Sequence, residues 1–166
     1  MPVIEHGYGI SEETRQRIVE EGKIVVTTLS QIHYHQQAYE RFNYPAWERE
    51  VYERHWVYML RDFRLGLEAG VRFALGTDLV GGPTHPLKAA AMEFVLAVQA
   101  GMAPSAALRA GTVIAAEVLG SQATTGSIEV GKLADLVATI GNPREDVSVL
   151  LRPAFVMQAG EIVVST

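Results

Sequence analysis

VRFALGTD, Val71 to Asp78, is an apolar β-prone run that stops at a Gly-Thr-Asp turn and runs into the glycine-rich LVGGPTHP. Its composition predicts a buried strand, and Asp78 stands at that strand's carboxyl end. In parallel α/β folds this is the end that carries the chemistry. A carboxylate there has three roles open to it: metal ligand, base, or cap of the following turn. Upstream, VIEHG, Val3 to Gly7, repeats the pattern with His6 in the equivalent place. His6 is either a hydrogen-bonded structural residue or a ligand. Two such residues at the ends of separate strands in one sheet face the same side, so each strengthens the other.

Between these strands lies KIVVTTLS, residues 23–30, β-branched and continuously apolar at its centre, as expected for a strand buried on both faces. The segments joining the three are helical in pattern. Residues 9–22 have Ser11 as N-cap, Glu12 and Glu13 in the first turn and Gly22 as terminator. Residues 48–69 place Tyr52, Trp56, Met59, Leu60, Phe63 and Leu67 at steps of three and four, with Gly70 as cap. Residues 31–47, QIHYHQQAYERFNYPAW, are polar and aromatic and read as a loop. After Asp78, a helix from Pro86 and two shorter ones over 104–110 and 112–120 are expected. Strand and helix alternate, which argues for a parallel α/β layer over residues 1–120. From about Ser121 the texture changes. TGSIEVGKLADLVATI predicts two short strands around a turn, and AFVMQAGEIVVST a hairpin turning at Ala159-Gly160. Residues 121–166 therefore form a separate, antiparallel piece.

Composition limits the chemistry. The chain has 166 residues, 48% of them hydrophobic, and a net charge of −5. No basic stripe suggests a nucleic-acid partner. There is no cysteine, so thiolate nucleophiles and thiolate metal sites are excluded, and His, Asp and Glu are the strong ligands left. The longest apolar stretch, residues 89–103, contains Glu93 and is too short for a bilayer. The N-terminus lacks the basic and apolar regions of a signal peptide. A soluble, cytoplasmic protein is the expectation.

Four further residues are candidates. His33 and His35 form His-x-His; on a continuing strand both rings would share one face and suit a metal, whereas in a loop they and Tyr34 line a substrate pocket or are simply solvated. His85 follows the glycine loop and either reaches the strand-end face or contacts a helix N-terminus. His55, inside the long helix, is expected on its surface, and Asp135 in a turn or hydrogen-bonding role. No phosphate loop and no nucleophile elbow is present.

The ordered set VIEHG, VVTTLS, GVRFALGTDLVGG, EFVLAVQAGMAPSAALRAGTVIAAEVLG, GSIEVGKLADLVATIGNP and VMQAGEIV resembles the C-terminal part of a metal-dependent amidohydrolase of the imidazolonepropionase and Xaa-Pro dipeptidase-like branch. The resemblance covers essentially the whole chain. It implies a (β/α)8 barrel, with the three strands as barrel strands six, seven and eight, and residues after Ser121 as the returning strands of a small β-sandwich. It makes His6 a metal ligand, and Asp78 both a ligand and the residue that handles the proton of the attacking water. It implies a divalent metal, most simply zinc, and hydrolysis of an amide or other C–N bond in a small or dipeptide-like substrate.

The family's strand-one His-x-His, its strand-four lysine or carboxylate and its strand-five histidine have no counterpart here, and His33-x-His35 follows the wrong strand to replace them. A catalytic zinc has three protein ligands, and the matched region supplies two. Three strands do not close a barrel, and open strand edges invite pairing. The chain is thus expected to be a fragment, inactive unless complemented by the missing N-terminal half. The alternatives are a catalytically dead α/β module that oligomerises with copies of itself, or a non-catalytic small-molecule-binding module.

Overall fold

The computed structural model describes residues 3–78, 86 and 88–165. Three parallel strands form the first sheet in the order β1-β2-β3: β1 (Val3–Glu5), β2 (Ile24–Thr27) and β3 (Arg72–Leu75). Helix α1 (Glu12–Glu20) joins the first two. Helices α2 (Leu29–Ala38) and α3 (Ala46–Ala69) join the second and third. The register aligns Glu5, Val26 and Ala74 in one row and Ile4, Val25 and Phe73 in the next. Alternation sends these rows to opposite faces.

The second row packs under the helices. Val25 and Phe73 join Ile18, Ile32, Met59, Phe63 and Leu96 in the main core, with Ile4 and Leu75 at its margin. The first row, which includes Glu5, faces away from that core.

Local signals place the helix ends. Ser11 Oγ accepts from Thr14 N at 3.1 Å, starting α1. Gly70 ends α3 in the left-handed region at φ 83°, and its N–H returns to Leu67 O at 3.1 Å, so the chain enters β3 directly. Beyond the sheet come α4 (Ala89–Gln99), α5 (Pro104–Arg109), a π-helical turn (Ala110–Ile114) and α6 (Ala115–Val118). The two separate helices expected over 104–120 are one nearly continuous helical run with a π-turn inside it.

The second sheet is antiparallel, in the order β4-β5-β6: β4 (Leu136–Ala138), β5 (Phe155–Gln158) and β6 (Glu161–Ser165). The β5–β6 turn puts Ala159 at φ 50° and Gly160 at φ 88°, the pair of positive values that a two-residue hairpin of primed type requires. Asp135 Oδ1 accepts from Ala159 N at 2.7 Å and so ties β4 to this turn, the hydrogen-bonding role expected of it.

Two expectations fail. Residues 125–130 are not a strand. Lys132 Nζ gathers the segment into a turn by donating to Ser127 Oγ at 2.5 Å and Glu129 Oε1 at 3.3 Å, and Leu133 N bonds Thr124 O at 2.9 Å. Nor is the stretch after β2 a loop, because residues 29–38 form α2. Its polarity conceals an apolar side, Leu29 and Ile32, that enters the core.

Candidate functional site

His6 follows directly on β1 and Asp78 stands three residues past the end of β3, and both are left-handed, at φ 67° and 50°. Such backbone costs a non-glycine residue about 1–2 kcal/mol. Both line one cleft of about 440 Å³, with Glu5, Val26, Thr28, Ala74, Ala115 and Val118 also on its walls. The cleft lies on the face of the sheet away from the main core.

The imidazole of His6 is held. Its Nδ1 shares a hydrogen bond of 2.9 Å with Thr28 Oγ1, and its backbone N–H donates to Val26 O at 2.8 Å. Nε2 has no hydrogen-bond partner among the described residues, the arrangement of a ligating histidine whose other nitrogen is fixed by a neighbour. Asp78 is also held from one side: Gln31 Nε2 donates to Oδ2 at 2.9 Å, and Oδ1 is left to the cleft. Thr28 and Gln31 carry these contacts, and neither signals itself in the sequence. Only the turn of chain from β2 into α2 brings them there.

That turn of chain is anchored from below. Glu93 of α4, 1% exposed, accepts from Leu29 N and Ser30 N at 2.7 Å each. It satisfies two of the N–H groups that a helix start leaves without intrahelical partners. Burial pushes its carboxyl up to about 7, against the opposing pull of these bonds. The sequence shows Glu93 only as a charge interrupting an apolar helix.

His33 and His35 lie on α2, not on a strand or a loop. Two residues apart on a helix, side chains diverge by about 200°, so the pair shares no ligand face. Gln37 Nε2 donates to His33 at 2.8 Å, and burial lowers the pKa of His33. His35 stacks on Tyr52 of α3 at 4.4 Å and shares a 2.8 Å hydrogen bond with Tyr44. Tyr34 is buried, with its hydroxyl unpartnered among the described residues. His55 is half-buried on α3 with its ring edge-on to Tyr8 at 5.1 Å. His85 lies outside the described residues. Among those described, no group of three or more His, Asp or Glu side chains is placed to hold a metal ion, and no helix is long and apolar enough to cross a membrane.

An α/β layer with its polar residues turned out at the strand carboxyl ends defines a protein whose site is built on parallel strands. The profile of the amidohydrolase family matches residues 57–163, and the chain belongs to that family. It is 40% identical over 97 residues to ochratoxinase of Aspergillus niger, covering 57% of this chain and 19% of that protein. With imidazolonepropionase of Symbiobacterium thermophilum it shares 43% identity over 74 residues, 43% of this chain and 17% of the relative.

Among solved structures it is similar to a Xaa-Pro dipeptidase with bound methionine in the active site, at TM-score 0.82 and 31% identity over 99% of this chain and 40% of that one. The A. niger ochratoxinase structure gives TM-score 0.76 and 30% identity over 99% and 37%. The chain thus spans about two fifths of the length of these solved relatives, and the aligned stretch about a fifth of the curated ones.

Proposed function

We propose that this chain supplies part of the active site of a divalent-metal-dependent hydrolase acting on amide or other C–N bonds. In this reading β1, β2 and β3 are strands six to eight of a (β/α)8 barrel, and β4 to β6 are half of a small β-sandwich. The single observation that carries it is the matched strain at His6 and Asp78: two ligand-type side chains turned into one cleft by unfavourable backbone. Strained non-glycine residues of this kind cluster at functional sites.

The donor set fits a metal in kind and falls short in number. His6 Nε2 and Asp78 Oδ1 are the atoms that would hold it, and an imidazole with a carboxylate suits zinc. A bound divalent cation polarises a carbonyl and lowers the pKa of water from about 15.7 to about 7. The chain's own residues do the rest. Thr28 fixes the histidine ring so that Nε2 presents a lone pair. Gln31 orients the Asp78 carboxylate by donating to Oδ2, and that carboxylate takes a proton from water and returns it to the leaving nitrogen. The remaining ligands come from polypeptide outside these 166 residues.

A second copy is the other partner in this reading, giving a homo-oligomer. β1 and β3 are edge strands of the first sheet, and Ile128, Val130 and Ile140 stand exposed near the second.

The test is to purify the chain together with the polypeptide encoded beside it and to assay Xaa-Pro dipeptides and N-acylated amino acids with Zn2+, Mn2+ or Co2+. Hydrolysis that needs both parts and falls about 10²–10⁴-fold in Asp78→Asn supports the reading. Hydrolysis untouched by Asp78→Asn overturns it.

A further inference from the structure

Three residues from three parts of the chain, His6, Asp78 and Glu93, converge on the start of α2. Glu93 rises from α4 and takes Leu29 N–H and Ser30 N–H on its two carboxylate oxygens, Oε1 and Oε2, both at 2.7 Å. One residue before this pair, Thr28 meets His6 Nδ1 at 2.9 Å. One residue after it, Gln31 meets Asp78 Oδ2 at 2.9 Å. A single segment of four residues therefore touches both site side chains, and its two middle amides are clamped by one buried carboxylate. Thr28, Leu29 and Ser30 are themselves 2% exposed or less, so water does not compete for the two bonds to Glu93.

The energetics favour a rigid bracket. Hydrogen bonds to a charged group are shorter and about twice as strong as neutral ones. Here the two are parallel and sealed from solvent. A carboxylate this deeply buried is costly unless fully bonded, and no cation faces it within its hydrogen-bonding set. If only the helix start needed satisfying, a Ser, Thr, Asp or Asn at the N-cap would do it locally at no burial cost. Thr28 occupies the N-cap but makes no capping bond, since its hydroxyl is turned to His6 instead. Glu93 does the capping that Thr28 has given up.

Resting on the reading of His6 and Asp78 as the site pair, we infer that Glu93 and Thr28 are positioning residues: Glu93 fixes the Thr28–Gln31 segment, and that segment fixes the His6 imidazole and the Asp78 carboxylate. A consequence is that the N-terminus of α2, which faces the strand-end side, is not available to a substrate anion, because the protein's own carboxylate fills it.

The experiment is a long-range proton–nitrogen NMR correlation of the histidine rings at about pH 8, on the wild type, Thr28→Val and Glu93→Gln. In the wild type His6 is held in one tautomer, so its two ring nitrogens resonate far apart. Thr28→Val preserves the clamp, so the Leu29 and Ser30 amide protons keep their low-field shifts while the His6 nitrogens move together as tautomers interconvert. Glu93→Gln places an amide NH2 against a backbone N–H, so both sets of signals move. His6 nitrogens that stay apart in Thr28→Val overturn the inference. So does a Glu93→Gln protein that shifts Leu29 and Ser30 but leaves His6 as in the wild type.

Zn2+ titration of the same samples separates this from the proposed function. Positioning predicts Zn2+ binding about 10–100-fold weaker in both variants. If Zn2+ never perturbs wild-type His6 while the tautomer results hold, the metal reading fails and the positioning role stands.

Discussion

His6, directly after β1, and Asp78, three residues past β3, share one backbone anomaly: each is in the left-handed region, at φ 67° and 50°. The other two described non-glycine residues with positive φ are Asn43 and Ala159, and Ala159 is accounted for by its hairpin turn. In the proposed site the strain at His6 and Asp78 would aim a side chain, and that use would separate a site residue from a turn former.

Replacing Asp78 by glycine tests this distinction. Relief of left-handed strain gains about 1–2 kcal/mol. The added freedom of the unfolded chain costs about 0.5–1 kcal/mol, and loss of the exposed bond to Gln31 costs about 0.5–1.5 kcal/mol. Urea unfolding of Asp78→Gly is expected within about 1 kcal/mol of wild type, with metal binding lost. Destabilisation beyond about 2 kcal/mol would make Asp78 a structural cap.

Gly7 is expected to be intolerant. It too is left-handed, at φ 65°, and a Cβ there would run into Val25 Cγ1 at the heart of the core. Gly7→Ala combines backbone strain with overpacking, about 2–4 kcal/mol together. Thermal unfolding and the His6 ring signals are both expected to shift. An unchanged melting temperature would show that the strand end yields easily, contrary to a rigid site.

Glu93 gives a signed pH dependence. Burial raises its carboxyl from 4.5 to about 7, so between these values the native state holds more protons than the unfolded chain. Its contribution to stability is full below about pH 4.5 and is lost as pH rises through about 7, on the order of 3 kcal/mol in all. Glu93→Gln has nothing to titrate there. Urea unfolding at several pH values between about 5 and 8 is expected to show the wild type losing stability relative to Glu93→Gln. A difference independent of pH would contradict the buried, proton-binding carboxyl.

Much of this was legible in the residues themselves. The three parallel strands announce themselves by β-branched runs, and α1 and α3 by their caps and stripes. His6 and Asp78 are visible because a ligand-type residue directly after an apolar strand is a local pattern. What is not local is not legible. The N-terminus of α2 is capped by a carboxylate more than sixty positions away, so Leu29 and Ser30 look like the end of a strand, residues 31–38 like part of a polar loop, and His33 and His35 like a motif. Thr28 and Gln31 are ordinary polar residues until the fold sets them beside the site pair. Residues 125–130 read as the first of two short strands, but the hydrogen bonds of Lys132 take the chain into a turn.

Exposed apolar surface predicts association. Ile128, Val130 and Ile140 are each more than four-fifths exposed. Light scattering after size exclusion is expected to give a dimer or larger, and Ile128→Lys with Ile140→Lys to reduce it without changing the unfolding midpoint. A monomeric wild type would contradict the second-copy partner.

The central claim is that His6 and Asp78 are two ligands of a shared metal, and a Zn2+ titration followed residue by residue by NMR tests it most directly. Weak binding is expected, perturbing His6 Nε2 and the Asp78 carboxylate first and vanishing in His6→Ala and Asp78→Asn. Perturbation centred on His33 and His35, or none at His6 and Asp78, would contradict it.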